Sequence, residues 1–233
     1  MFVYSNSGRE CSAITENRVC AIQGISGTGS GRLVFEFTKR HHSVKTAYVS
    51  KPTWGNHKGM LKHAGYEDVR EYRYYDPATK GLDIAGMLAD LNEAPEGSLV
   101  LLHGCAHNPS GVDASREEWQ QILNVCKSKK LFTVLDVAYQ GFVSGDPDTD
   151  AWAVRNFVEH GMEVVIFQSF AKNFGLYNER CGNVVFVCAN STIAMNVKSQ
   201  LKAIVRPMYS NPPNHGARIV ATVLNNDILL NEW

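Results

Sequence analysis

A lysine and an arginine lie eight residues apart in a small, polar segment that follows an apolar run. Lys172 comes after the run Val164–Phe167, and Arg180 lies further along the same segment. An amine held at a strand end can lose its water, which lowers its pKa and makes it a nucleophile toward an aldehyde. A guanidinium can hold a phosphate through paired hydrogen bonds. The pair suggests pyridoxal phosphate, although each charge alone is also typical of a solvated loop.

Polar residues that suit the same cofactor follow two other apolar runs. Asp136 ends the run 131–136, and a buried carboxylate there could hold the proton of a pyridine nitrogen. Tyr139 comes three residues later, and Asn108 follows the run 98–104. Both side chains could donate to the phenolic oxygen of the cofactor. Turn formation is the alternative for Asp136 and for Asn108, since Asn-Pro-Ser-Gly makes a good turn.

The segment Gly24–Arg32 is rich in glycine and serine and precedes an amphipathic pattern. Backbone N–H groups of small residues can approach an anion closely, and a helix N-terminus favours negative charge. The lysine of a nucleotide P-loop is lacking and no strong strand pattern precedes the segment, so a nucleotide fingerprint is not favoured. We expect a phosphate site at Ser26, Gly27 and Thr28, with a flexible glycine loop as the alternative.

An aromatic residue and three histidines complete the set of candidates. Trp54 lies in a predicted loop, where it could stack on a flat ring, with packing on the domain surface as the alternative. His57 could support Asp136 by hydrogen bonding, with a surface position as the alternative. His103 and His107 are four residues apart, but no second pair of ligands has the spacing of a zinc site, so we expect no metal.

The composition is that of an ordinary globular protein. The chain has 233 residues, of which 44 % are hydrophobic and 20 % charged, enough for one sizeable core. Because the formal net charge is 0, no overall field favours nucleic acid. No apolar run reaches the roughly 18 residues of a membrane span. The 6 cysteines are scattered without a C-x-x-C pair, which predicts reduced thiols.

Apolar runs of β type alternate with helical patterns along the chain. Runs such as Leu99–Leu102 are apolar throughout, as in strands that are covered on both faces. Ser115 with Glu118 predicts a capping box, and Asp83 predicts a helix N-cap. The alternation predicts an α/β fold with a mostly parallel sheet, which binds ligands at the carboxyl ends of its strands. The predicted strands are 46–49, 69–74, 98–104, 131–136, 163–168 and 183–188, and the predicted helices are 29–41, 56–64, 83–92, 115–129, 150–160, 191–205 and 214–224.

Six collinear motifs resemble the aspartate aminotransferases of the class I, fold-type-I pyridoxal-phosphate family. They are Ser-Gly-Thr-Gly (26–29), Pro-Thr-Trp-Gly-Asn-His (52–57), His-Gly-Cys-Ala-His-Asn-Pro-Ser-Gly (103–111), Asp-Val-Ala-Tyr-Gln-Gly-Phe (136–142), Ser-Phe-Ala-Lys-Asn-Phe-Gly-Leu-Tyr-Asn-Glu-Arg (169–180) and Arg-Pro-Met-Tyr-Ser-Asn-Pro-Pro (206–213). The resemblance implies the three-layer large domain of that family, as a single cofactor-binding domain over residues 1–233. The N-terminal arm and the C-terminal small domain of the family are missing from this sequence.

The resemblance also implies a role for each candidate. Lys172 resembles the lysine that forms the internal aldimine with pyridoxal 5'-phosphate and then moves the substrate proton. Asp136 resembles the partner of the ring nitrogen, with His57 and His103 as its support. The implied ligands of the phenolic oxygen, the ring face and the phosphate are Tyr139, Asn108, Trp54, Ser26, Gly27, Thr28, Ser169 and Arg180.

Substrate binding is implied for Trp54, Asn108 and Arg206. Arg206 resembles the arginine that crosses a dimer interface and binds the side-chain carboxylate of aspartate or glutamate in the neighbouring site. A cation favoured by the dipole of a helix C-terminus is the alternative for this residue. The resemblance therefore implies a homodimer with shared active sites.

The implied reaction is a ping-pong transamination from L-aspartate to 2-oxoglutarate, which gives oxaloacetate and L-glutamate. The alternatives are an aromatic or broad-range aminotransferase, a related lyase, and a non-catalytic domain that acts through dimerisation. Because the family's arginine for the substrate α-carboxylate belongs to the missing small domain, we expect this chain alone to transaminate poorly. The segments 51–57, 72–77 and 206–209 resemble the mitochondrial form more than the animal cytosolic one, so we expect the mitochondrial matrix, with the cytoplasm as the alternative.

Overall fold

The structure is a computed structural model that describes residues 11–43 and 45–233. Residues 1–10 and 44 of the predicted domain 1–233 lie outside the described part. The strands are β1 (Val19–Ile25), β2 (Thr46–Lys51), β3 (Asp68–Arg73), β4 (Tyr75–Asp76), β5 (Gly81–Leu82), β6 (Leu99–His103), β7 (Phe132–Val137), β8 (Val164–Ser169) and β9 (Cys181–Val187). The helices are α1 (Ser12–Thr15), α2 (Ser26–His41), α3 (Asn56–His63), α4 (Ile84–Glu93), α5 (Arg116–Ser128), α6 (Pro147–Asp150), α7 (Trp152–Glu159), α8 (Ser191–Met208), α9 (His215–Leu224) and α10 (Asp227–Glu232).

Seven strands form the central sheet in the order β1-β9-β8-β7-β6-β2-β3. The pairs from β3 through β2, β6 and β7 to β8 are parallel, whereas β9 pairs antiparallel with both β8 and β1. Strands β6 and β8 are buried along their whole length, as expected for strands covered on both faces. The predicted α/β fold with a mostly parallel sheet is confirmed.

Helices cover both faces of this sheet and create three layers. On one face, α4, α5 and α7 bury residues such as Leu91, Ile122 and Phe157. On the other face, α2, α3 and α8 bury residues such as Phe35 and Leu61. Burial of large apolar side chains on both faces is the main stabilising term of such a fold.

The predicted helix starts agree with the structure where a polar side chain marks them. Ser115 Oγ accepts from the Glu118 N–H at 3.2 Å, and the Glu118 carboxylate accepts from the Ser115 N–H at 2.7 Å. Asp83 caps α4 by accepting from the Gly86 N–H at 2.8 Å. Both caps satisfy N–H groups that would otherwise lack partners. The capping box and the N-cap are confirmed.

The glycine-rich segment differs from its prediction. We expected a loop before a helix at 29–41, whereas a strand, β1, runs directly into α2 at Ser26. The sequence of β1 lacks the apolar alternation that marks a half-buried strand. The strand forms at the edge of the sheet because it pairs with β9 along its whole length. The residues of the expected phosphate site, Ser26, Gly27 and Thr28, therefore form the first turn of a helix and not a flexible loop.

The carboxyl ends of β6, β7 and β8 carry the polar residues that the sequence singled out. In the sheet register His103 lies beside Asp136, and Ser169 ends β8 beside Gly182 of β9. Lys172 follows three residues after the end of β8. The sheet therefore brings residues far apart in the sequence to one edge, where parallel sheets bind ligands.

Candidate active site

A cavity of about 170 Å³ lies at this edge of the sheet. One water needs only roughly 10–15 Å³ of such space, so the cavity has room for a larger group. Eleven of the thirteen site residues predicted from the sequence line it, and the two others are His57 and Arg206. The eleven are Ser26, Gly27, Thr28, Trp54, His103, Asn108, Asp136, Tyr139, Ser169, Lys172 and Arg180.

His57 lies behind the cavity wall and holds Asp136 in place. Its Nε2 donates to Asp136 Oδ2 at 2.8 Å, and its Nδ1 lies 2.8 Å from Thr53 Oγ1. The histidine side chain is fully buried, while 12 % of the Asp136 side chain remains exposed. A carboxylate only accepts, so the proton of His57 lies on Nε2. The geometry is that of the predicted support for Asp136, and the surface alternative for His57 does not hold.

His103 ends β6 and differs from His57 in how it faces the carboxylate. Its Nδ1 accepts the backbone N–H of Asn108 at 3.1 Å, so in the neutral ring the proton lies on Nε2. That Nε2 is buried and has no hydrogen-bond partner within the described residues. The pKa of His103 is lowered to about 3, mainly by burial, with Asp136 opposing the shift and His107 and His57 adding to it. His103 is therefore neutral and does not donate directly to Asp136.

The three side chains are close enough to raise the question of a metal. One ligating atom each of His57, His103 and Asp136 lie within 4.8 Å of one another. A metal needs an imidazole lone pair, yet the hydrogen bonds place protons on Nε2 of both rings. Two N–H groups around one carboxylate suit a protonated organic ring nitrogen better than a metal cation.

Lys172 lines the same cavity. Burial lowers the pKa of its amine, Asp136 raises it, and Arg180 lowers it. The Nζ atom is 4.6 Å from the centre of the Tyr139 ring, over its face. Burial also raises the pKa of Tyr139, with contributions from Tyr177 and Asp136. An amine with a lowered pKa beside a neutral phenol is suited to nucleophilic attack and to proton transfer.

The other end of the cavity carries donors for an anion. Ser26 Oγ and Ser169 Oγ are 3.0 Å apart, and the α2 N-terminus has no side-chain cap. The backbone there is held closely, since Ser26 N–H donates to the Arg180 carbonyl at 3.0 Å. A Cβ on Gly182 would lie 2.6 Å from the Gln168 carbonyl oxygen, so only glycine allows this approach. Free N–H groups, two hydroxyls and the guanidinium of Arg180 form an anion site.

Arg180 and Trp54 border the cavity from less buried positions. Arg180 Nη1 donates to the Tyr177 carbonyl at 2.7 Å, which leaves other N–H groups of the fork for a ligand. Trp54 is half-buried, and its ring meets the His57 ring edge-on at 5.2 Å. The indole therefore borders the cavity beside the buried His57–Asp136 pair.

Arg206 does not line this cavity. It lies exposed in the last turn of α8, where its Nη1 donates to Ser210 Oγ at 2.7 Å. This position agrees with the dipole alternative and is also open to a second copy of the chain. The role that the resemblance implies for Arg206 stays a prediction.

Sequence reasoning did not single out five further residues of the cavity. Burial raises the pKa of Cys105, so that this thiol is protonated. Tyr177 is largely exposed at the cavity mouth and lies within a motif that the sequence had already marked. The small side chains carry no chemical signal that could have identified them. The five are Cys105, Ala106, Ala138, Ala171 and Tyr177.

The residues of the cavity fit pyridoxal phosphate, the cofactor predicted from the sequence. The Asp136 carboxylate, which accepts from His57, suits a protonated pyridine nitrogen, and His103, whose buried Nε2 has no partner among the described residues, belongs to the same cluster. The uncapped helix terminus with Ser26, Ser169 and Arg180 suits a phosphate. The amine of Lys172 lies in the same cavity.

A comparison with protein families matches residues 4–233 to the family described as aminotransferase class I and II. The chain is 54 % identical over 226 residues to the aspartate aminotransferase, cytoplasmic, of Oryza sativa subsp. japonica. It is 52 % identical over 226 residues to the aspartate aminotransferase, mitochondrial, of Dictyostelium discoideum. Each match covers 97 % of this chain but only 55 % and 53 % of the relative, so the chain spans about half the length of these curated relatives.

A comparison with solved structures also finds aminotransferases. The aromatic-amino-acid aminotransferase from Burkholderia pseudomallei, covalently bound to pyridoxal phosphate, superposes with a TM-score of 0.94 at 38 % identity. The match covers 100 % of this chain and 57 % of that one. No helix among the described residues combines the length and the apolar character that crossing a membrane requires. All six cysteines are free, as predicted.

Proposed function

The chain belongs to the class I and II aminotransferases, and on this premise we propose that it binds pyridoxal 5'-phosphate and transfers an amino group from an amino acid to a 2-oxo acid. The observation that supports this best is the shared cavity of Lys172 and Asp136, at the ends of neighbouring strands. An amine for the aldehyde and a carboxylate for the ring nitrogen must reach one small ring. The proposal takes residues 1–233 as one cofactor-binding domain.

The bound cofactor supplies an aldehyde and a pyridine ring that withdraws electrons from the substrate carbon. Asp136 holds the ring nitrogen, with His57 donating to its other side. Asn108 and Tyr139 bind the phenolic oxygen, and Trp54 stacks on the ring. The phosphate site consists of Ser26, Gly27, Thr28, Ser169 and Arg180. Nine of these ten residues line one cavity, all but His57, and side chains that the fold already holds in place lower the cost of ordering them on binding.

Lys172 carries out the chemistry in this proposal. Its amine would condense with the cofactor aldehyde with loss of one water, which the lowered pKa favours because a neutral amine is the nucleophile. When a substrate amine takes its place, the freed Lys172 amine would accept the proton of the substrate α-carbon and could return that proton at the cofactor. Proximity to the reacting carbon makes such a base effective.

We propose L-aspartate and 2-oxoglutarate as the substrates and oxaloacetate and L-glutamate as the products. Support comes from the names of the relatives in rice and Dictyostelium and from Arg206, whose guanidinium suits a second carboxylate. An aromatic or broad-range aminotransferase is the second candidate. The name of the matched Burkholderia structure supports that reading.

Assembly and compartment are part of the same proposal. We propose a homodimer in which Arg206 serves the site of the partner subunit, since it is exposed and outside its own cavity. For the compartment we propose the mitochondrial matrix, as the name of the Dictyostelium relative suggests. The cytoplasm is the alternative, with the support of the rice relative.

Reduction with borohydride tests the covalent attachment. The purified chain is incubated with pyridoxal phosphate, its absorbance spectrum is recorded, and borohydride is added before peptide mapping by mass spectrometry. We expect one modified peptide, containing Lys172, and its loss in Lys172→Ala. Lys202→Ala, which removes an exposed lysine of α8, is the matched control and keeps the modification. Equal labelling of several surface lysines in all three proteins would contradict the proposal.

The choice of substrate is tested on the same cofactor-loaded protein. Aspartate or phenylalanine is added, and conversion of the cofactor to its amine form is followed by absorbance. We expect conversion with aspartate to be faster than with phenylalanine. The opposite order would favour the aromatic alternative, and no conversion with either would favour the non-catalytic domain.

A further inference from the structure

The loop that follows β6 is held by one carboxylate. Asp113 Oδ2 accepts the Ala106 N–H at 2.7 Å, and Asp113 Oδ1 accepts the His107 N–H at 2.8 Å. Ala106 has a φ of 51°, a left-handed conformation that costs an alanine free energy. The two bonds to a charged acceptor stabilise this turn, since bonds to ionised groups are stronger than neutral ones.

This turn directs the next backbone N–H at His103. Because the chain reverses at Ala106, the Asn108 N–H donates to His103 Nδ1 at 3.1 Å. The loop is closed by the Gly111 N–H, which donates to the His107 carbonyl at 2.7 Å. A backbone N–H on Nδ1 fixes the proton of the neutral ring on Nε2. The position of the His103 proton thus depends on the shape of this loop.

The side chain of His107 connects the loop to His103 a second time. Its ring stacks on His103 at 4.2 Å and on Tyr74 at 3.8 Å. Ser50 Oγ lies 2.9 Å from its Nε2, and Ser110 Oγ lies 2.7 Å from its Nδ1. The His107 ring is therefore locked in orientation and limits how the His103 ring can turn.

We propose that Asp113 is a positioning residue that keeps the proton of His103 on Nε2, within the cluster of His103, His57 and Asp136. Asp113 does not line the cavity itself, and its side chain acts through the backbone N–H groups of Ala106, which does line it, and of His107. When the hydrogen bonds from Ala106 and His107 to the Asp113 carboxylate are lost, the Asn108 N–H can leave His103 Nδ1, and the His103 proton can move to that nitrogen. The neutral ring would then carry a lone pair on Nε2 and lose an N–H group close to the negative Asp136 carboxylate, which acts electrostatically on His103.

The cofactor-free protein allows a direct test by nitrogen NMR. The ¹⁵N shifts of a histidine ring distinguish the protonated from the unprotonated nitrogen, and the His103 signals are assigned by their loss in His103→Gln. We expect Nε2 to be protonated in the wild type. In Asp113→Asn, which removes the charge and one acceptor oxygen, we expect the two shifts to move toward each other as both tautomers become populated.

A matched control separates this effect from general loosening of a loop. Asp150 also gathers backbone N–H groups, from Gly141 at 2.7 Å and from Val143 and Ser144 at 3.1 Å. Asp150→Asn should leave the His103 shifts unchanged. Unchanged shifts in Asp113→Asn, or equal changes in both variants, would overturn the proposal. If Asp113→Asn does not fold, Asp113→Glu displaces the carboxylate by one methylene and is expected to move the shifts in the same direction.

The consequence for the cofactor is measured separately and rests on the proposed function. We expect the Kd for pyridoxal phosphate to rise about tenfold in Asp113→Asn, as for the loss of one hydrogen bond to a charged group. Asp83→Asn, at the N-cap of α4, should leave the Kd unchanged. A failure of covalent trapping at Lys172 would refute the proposed function and leave the NMR result intact. A tautomer shift without any change in Kd would overturn the part of the proposal that concerns the cofactor.

Discussion

Asp136 and Arg206 are assigned to one reaction, but the molecule holds them in opposite ways. Asp136 lies at the end of a buried strand, and the fully buried His57 donates to it at 2.8 Å. Arg206 lies exposed at the end of α8, with the Ser210 hydroxyl at 2.7 Å. One position is fixed by the sheet and by residues from three strands, the other by one turn of a surface helix. Under the proposed function, the chain itself thus fixes the partner of the cofactor ring much more firmly than the partner of a substrate carboxylate.

This difference separates the binding of the cofactor from the choice of substrate. The cofactor end of the cavity is formed by strand ends whose register follows from the buried core, so it is present whenever the domain is folded. A surface arginine loses rotamer freedom when it binds a ligand. Its contribution to the binding free energy therefore depends on the residues that surround it in the assembly. Changes at the two positions should therefore affect different measurements, with the larger effects at the buried one.

Asp136→Asn should have the largest effect on the cofactor. The substitution keeps the shape of the side chain but removes the charge that pairs with the ring nitrogen. Because loss of one partner of a buried charge pair costs about 2 kcal/mol or more, we expect the Kd for pyridoxal phosphate to rise about thirtyfold or more. Absorbance titration measures the Kd. Asp90→Asn, which weakens the surface ion pair with Arg73, is the control. An equal loss of cofactor affinity in both variants would contradict the proposed role of Asp136.

Arg180→Gln tests the other end of the same cavity. One charged hydrogen bond contributes about 1.5 kcal/mol, so we expect roughly a tenfold rise in the Kd for pyridoxal phosphate. Pyridoxal, which lacks the phosphate, provides an internal control because its affinity should not change. If both compounds lost affinity to the same degree, the guanidinium would be acting on the fold and not on the phosphate.

The sequence was sufficient to predict the strands that position Asp136 and its neighbours. Strands β6, β7 and β8 are long apolar runs, so their existence and their carboxyl ends could be read directly. The six motifs then marked most of the cavity. The cavity residues that the sequence did not identify were Cys105, Tyr177 and three alanines. These residue types do not show whether a position lines a cavity or packs in the core.

The contacts between distant segments could not be predicted. His57 was given a surface alternative because nothing local shows that Asp136, 79 residues away, would accept from its Nε2. Strand β1 was missed because its pairing with β9 joins residues that are far apart in the sequence, such as Val19 with Val187 and Ile25 with Cys181. Asp113 was not singled out, since its role depends on a left-handed turn at Ala106 that has no glycine to mark it. In each case the signal lies in tertiary structure and not in local pattern.

The buried histidines should give the folded protein an acid sensitivity. Burial lowers the pKa of His103 to about 3 and that of His107 to about 4, against about 6.5 in an unfolded chain. Between these values the unfolded chain binds more protons, so stability is complete above about pH 6.5 and is lost as the pH falls toward 3. In urea unfolding between pH 4.5 and 6.5, His107→Gln should reduce the slope by up to about 1.4 kcal/mol per pH unit. Parallel curves for the variant and the wild type would refute this.

Arg206→Gln should have the smallest effect on this chain and the most specific one. An exposed side chain with one neutral hydrogen bond contributes little to folding, so the free energy of unfolding should change by less than about 0.5 kcal/mol, and the Kd for the cofactor should not change. Only conversion with aspartate should decrease, while conversion with phenylalanine stays the same, because the substitution removes a partner for the second carboxylate alone. Lys202→Gln, an exposed cation one turn earlier on α8, is the control. A weaker affinity for the cofactor in Arg206→Gln would mean that the arginine acts within its own cavity, and the contrast between a fixed ring site and a loosely held substrate arginine would then fail.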